Sequence, residues 1–72
     1  MAYLTIELKT NDQGGTAAEV IYTGSDLRVA EQKYYQTLAT AATSGRACHA
    51  CVILDSEGVT VAQRAYVKQE AE

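Results

Sequence analysis

One helical stretch stands among segments that alternate like strands, and this sets what the chain can fold into. From Ser25 to Ser44, Leu27, Ala30, Tyr34, Leu38 and Ala41 recur at steps of three and four, with Ala42 beside them. That spacing forms one apolar stripe on a 3.6-residue helix. Thr23 with Asp26, or Ser25 by itself, offers the N-cap, and Gly45 offers a left-handed stop. A lone helix with one apolar stripe needs a sheet to cover it.

Four segments can supply that sheet. Tyr3 to Thr10 alternates strictly, with Leu4, Ile6 and Leu8 on one side and Tyr3, Thr5, Glu7 and Lys9 on the other. The larger aliphatic set is expected to face the helix. Asn11-Asp12-Gln13-Gly14-Gly15 reads as a hairpin turn into Thr16 to Thr23, where Ala18, Val20 and Tyr22 are expected inward and Glu19 and Ile21 outward. Ala47 to Leu54 is almost continuously apolar, the pattern of a strand covered on both faces. Asp55-Ser56-Glu57-Gly58 turns the chain into Val59 to Lys68, which places Ala62 and Tyr66 on one face and Val59, Val61, Ala65 and Val67 on the other. Gln69 to Glu72 reads as a polar tail.

The expected architecture is a single α+β domain over residues 1–72: a two-layer sandwich of a four-stranded sheet and one helix, in the order ββαββ. A strand order of 2-1-4-3, with the first and fourth strands parallel neighbours as in β-grasp-like folds, is the preferred topology by analogy. With 47% apolar residues but no Phe and no Trp, the core rests on aliphatics, Ala and five Tyr. Such a core is thin, and at this length a single core rarely contributes more than ~3–5 kcal/mol net.

Nine acidic against six basic residues leave a net charge of -3, which disfavours nucleic-acid binding. No apolar run has the length of a membrane span, and the N-terminus does not read as a secretory leader, so a cytoplasmic protein with reduced thiols is expected. Cys48-His49-Ala50-Cys51 has Cys-x-x-Cys spacing. In a strand, however, positions i and i+3 point to opposite faces, so neither redox pairing nor a zinc half-site is expected. His49 forms no triad legible in sequence, the carboxylates are scattered, and Gly14-Gly15 has no Lys-Ser/Thr after it. No catalytic residue, cofactor or metal is assigned.

Lys33-Tyr34, Ala41-Ala42, Ser44, His49-Ala50, Glu57-Gly58 and Tyr66 are spaced as in short uncharacterised proteins encoded in phages and mobile elements of Firmicutes. The chain resembles these over residues 30–68. Such relatives often carry a His two positions after the final Tyr, where this chain has Lys68, and the departure tells against a metal site shared by His49 and a second His. The resemblance implies a genetic context and no activity.

The functional expectation is therefore a non-enzymatic accessory protein acting through protein contacts and self-association. The face expected opposite the helix carries Tyr3, Thr5, Ile21, His49, Cys51, Ile53, Ala62 and Tyr66, and a homodimer is expected to form through it, with Ile53 and Tyr66 near its centre; another protein is a possible partner. The alternatives are a metal or ligand binder using His49 with Cys48 or Cys51, and a subunit of an enzyme completed by another chain.

Overall fold

A computed structural model describes residues 1–67. The end of the fourth strand at Lys68 and the polar tail lie outside them. The elements are β1 (Tyr3–Thr10), β2 (Thr16–Gly24), α1 (Leu27–Ala41), β3 (Cys48–Asp55) and β4 (Thr60–Val67). They form a two-layer α+β sandwich of one open four-stranded sheet with α1 on one face.

The strand order is 2-1-3-4, and every neighbouring pair is antiparallel. This corrects the expected 2-1-4-3 with its parallel β1–β4 pair. The near-continuously apolar β3 takes an inner position beside β1, while β2 and β4, which carry Glu19, Gln63 and Arg64, form the edges. A strand apolar on both sides is better protected inside a sheet than at its margin. β2 and β3 both run antiparallel to β1, so α1 connects two parallel strands across β1.

Both hairpins close in the same way. Asn11 Oδ1 accepts from the backbone N–H of Gln13 (3.0 Å) and Gly15 (2.9 Å), and Asp55 Oδ1 accepts from Glu57 (2.9 Å) and Val59 (3.0 Å). Gly14 and Gly58 take the left-handed φ of +84° and +82° that these turns need.

The helix begins at Asp26, whose side chain caps the Arg28 N–H at 2.9 Å. Asp26 is thus the cap itself, ahead of Ser25 and Thr23. After Ala41 a tighter turn follows, with Thr43 and Ser44 donating to the Thr40 and Ala41 carbonyls, before Gly45 at φ +72°. The stripe read from sequence is the buried one: Ala30, Tyr34, Leu38 and Ala41 are buried and Leu27 half-buried.

The face beneath that stripe is the opposite of the one expected. Ala30, Tyr34 and Leu38 pack on Cys51 and Ile53, with Tyr3, Ile21, Tyr22, Leu27, Ala62 and Tyr66 around them. Thr5 is fully buried there, its hydroxyl donating to the Ala30 carbonyl at 3.1 Å. The small Ala30 lets the helix backbone approach the sheet closely enough for that bond, which a bulky Leu-rich face would not permit.

Leu4, Ile6 and Leu8 consequently lie on the uncovered face, in register with Leu54, Val52 and Ala50. A bulge in β2 changes its parity. Thr5 pairs with Tyr22 and Ile6 with Val20, leaving Ile21 as the extra residue, so Tyr22 faces the helix while Ala18 and Val20 face away from it. Val61 is the corresponding extra residue in β4, which moves Thr60 to the Ala65 face.

Replacing Leu38 by Ala should cost about 2–5 kcal/mol, whereas Gln36→Ala on the exposed side of α1 should stay within about 0.5 kcal/mol in thermal or urea unfolding. Ile53→Glu, at a position with no exposure, should prevent folding altogether, as read by circular dichroism.

Candidate functional site

The residues expected to form an interface are instead inside the protomer. Thr5, His49, Cys51 and Ile53 are buried, and Tyr3, Ile21, Ala62 and Tyr66 are half-buried around the core. The parity grouping holds for seven of the eight, which share a face by register; Ile21 sits in the β2 bulge. What is inverted is the side on which the helix lies: β3 is apolar on both faces, and the helix takes the one that β1 shares through Tyr3 and Thr5.

Next to the core the sheet holds a polar pair. His49 Nε2 lies 2.7 Å from Glu7 Oε2, and Lys9 Nζ lies 3.5 Å from the other carboxylate oxygen. In the β1–β3 register His49 faces Lys9 and Glu7 faces Cys51, so the pair is a diagonal contact. Burial pushes the Glu7 carboxyl up, but the His49 hydrogen bond and the Lys9 and His49 charges outweigh it and hold the group below its ordinary 4.5.

With Nε2 directed at the carboxylate, Nδ1 is buried without a hydrogen-bond partner. Leaving such an atom unmet costs about 1–3 kcal/mol, and the charge-assisted bond to Glu7 offsets it. The pair fastens β3 to β1. Sequence reading missed it, because the two residues are 42 positions apart and meet only if β1 and β3 are neighbours.

Burial also pushes the Cys51 thiol up, and Glu7 adds to that, so Cys51 is a poor nucleophile. Cys48 faces the other side of the sheet and is half-buried, more open than Cys51. The Cys-x-x-Cys segment is thus split between two faces, as the strand reading required. Among the described residues, no group of three or more His, Cys, Asp or Glu is placed to hold a metal. Tyr34 and Tyr35 meet edge to face at 5.2 Å, one ring in the core and the other exposed.

Near the pair is an open cleft of about 250 Å³, lined by Glu7, Lys9, Asn11, Gly15, Ala17, Glu19 and Arg46. It is below the ~300–1,000 Å³ typical of small-molecule sites, and its charges alternate in sign.

The uncovered face is different in kind. Four positions of each strand lie on it: Leu4, Ile6, Leu8 and Thr10 of β1, Thr16, Ala18, Val20 and Thr23 of β2, Cys48, Ala50, Val52 and Leu54 of β3, and Thr60, Gln63, Ala65 and Val67 of β4. None is charged. The strand charges at Glu7, Lys9, Glu19 and Arg64 all fall on the helix side. The core lies beneath the helix as in other two-layer sandwiches, but the solvent-facing side of the sheet, usually the polar one, is the side without a charge.

No known protein family, curated protein or solved structure matches the chain. Among the described residues, no helix is long and apolar enough to cross a membrane.

A carboxyl whose pKa falls on folding contributes stability above its unfolded value and loses it as acid protonates the folded carboxylate. Glu7→Gln should therefore melt below wild type at neutral pH, and the gap should close as pH falls from 4.5 downward. A gap unchanged down to strongly acidic pH would rule out the charged Glu7 as the stabilising group.

In native, dilute protein a thiol reagent should modify Cys48 and reach Cys51 only on unfolding. Mass mapping of the labelled sites reads this directly, and mild oxidation should yield no Cys48–Cys51 disulfide.

Proposed function

We propose that the protein is a non-catalytic interaction module whose working surface is the open sheet face. The supporting observation is the distribution of charge and bulk: Leu4, Ile6, Leu8, Val52 and Leu54 stay half-exposed on a face without a charge, while the buried core is made largely of Ala30, Ala41, Cys51 and Thr5 beside Tyr34, Leu38 and Ile53. A contiguous apolar sheet face of this kind marks a contact surface rather than a solvated one.

The Glu7–His49 pair is engaged internally, which fits fastening rather than turnover. Two thiols on opposite faces suit a reducing, cytoplasmic setting.

The reading is tested with a photo-reactive benzoylphenylalanine placed in cells that encode the protein. At Gln63, exposed on the open face beside Val52, it should yield protein adducts; at Tyr35, exposed on the outer side of α1, it should not. Equal yields at the two positions would overturn the reading.

A further inference from the structure

The open face has an internal relief. By register its residues stand in rows running across the strands: Thr23–Leu4–Leu54–Thr60, then Val20–Ile6–Val52–Gln63, then Ala18–Leu8–Ala50–Ala65, then Thr16–Thr10–Cys48–Val67. The second row is a ridge of the branched Val20, Ile6 and Val52 ending in Gln63. The third is a trough on its β3–β4 side, where a hollow of about 230 Å³ is lined by Leu8, Ala50 and Ala65 together with Val52 and Gln63 of the second row, and is bordered by Cys51 and Arg64.

We infer that the occupant of this face is a second copy of the same chain, packed sheet on sheet about a two-fold axis that runs in the interface parallel to the rows. The inference rests on the reading of the open face as a contact surface and names its partner. Such an axis reverses the order of the rows between the copies. It lays Val52 and Gln63 of each protomer over Ala50 and Ala65 of the other, Ile6 over Leu8, and Leu54 over Cys48.

Three observations favour this occupant. An isologous contact sets each patch against itself, so any charge on it would meet its own sign close by; this face carries none. Four strands about 4.8 Å apart and eight residues at about 3.3 Å give roughly 500 Å² per copy, or about 1,000 Å² in total, the lower bound of a specific interface and the size of a weak, concentration-dependent dimer. The competing mode, edge to edge, is discouraged at both margins, because β2 and β4 each carry a bulge that breaks the ladder a second chain would extend.

Sedimentation of purified wild type at 10–100 µM should give the mass of a dimer, and its labelling by a thiol reagent should slow at Cys48 as protein concentration rises. Ile6→Lys should give a folded monomer, with the wild-type circular dichroism spectrum and a Cys48 rate independent of concentration; Glu19→Lys, on the helix side, should remain a dimer. Should Ile6→Lys fail to fold, the concentration dependence of Cys48 labelling in wild type decides by itself.

A monomeric wild type whose Cys48 rate is constant, or a folded Ile6→Lys that stays dimeric, would overturn the second copy. A monomeric wild type whose Gln63 adducts have masses other than twice the chain would overturn the second copy and leave the contact-surface reading standing. No preference of adducts for Gln63 over Tyr35 would remove both.

Discussion

The structure depends on the close seating of α1 on the sheet, and the buried bond from the Thr5 hydroxyl to the Ala30 carbonyl marks it. Ala30 has no exposure, and its small side chain lets the helix backbone come within hydrogen-bond reach of β1. A helical carbonyl normally spends its capacity within the helix, so a second, buried donor from the sheet fixes both the height and the register of the helix. Once α1 sits on the Thr5 side, Cys51 and Ile53 become core and Leu4, Ile6 and Leu8 are left outside. The identity of the open face follows from that one choice.

The entry of the helix supports the same choice. The bulge at Ile21 turns Tyr22 toward the helix side, and the Tyr22 hydroxyl accepts from the Asp26 N–H at 3.3 Å, just where the helix is capped. The Tyr22 ring lies over Gly24, where a Cβ would collide with it, so the absence of a side chain at Gly24 is needed for the strand to lead into the cap. Within the sheet the Glu7–His49 bond ties β1 to β3. Aromatic and cap thus hold in place a helix whose own apolar contribution is small, on a sheet that the Glu7–His49 bond fastens.

The cost of this arrangement is a core with few large side chains and a sheet whose bulkiest aliphatics remain in contact with water. Among the described residues no second helix covers them. The physical problem that the fold leaves open is therefore the same one that the contact-surface reading addresses. Edge bulges, a face free of charge and a ridge beside a trough are all features of one surface.

By itself the sequence determined the local elements. The 3.6-residue stripe from Leu27 to Ala41, the period of two in β1, and the Asn11 and Asp55 turns each follow from chemistry within a few residues, and each appears in the structure at nearly the expected bounds. It also determined that Cys48 and Cys51 would lie on opposite sides of a strand, since the pleat alone requires it. Tertiary structure decided what depends on contacts distant in sequence. Whether β3 or β4 lies beside β1 is a competition between pairings, and the Glu7–His49 contact exists only under one outcome. Which face receives the helix could not be read from apolarity, because β3 is apolar on both sides and the alternation of β1 favours its Leu4, Ile6 and Leu8 face; the helix packs instead on the Thr5 side, where the Ala30 carbonyl accepts the Thr5 hydroxyl. The bulges at Ile21 and Val61 have no strong sequence mark, and each reverses the facing of the residues beyond it.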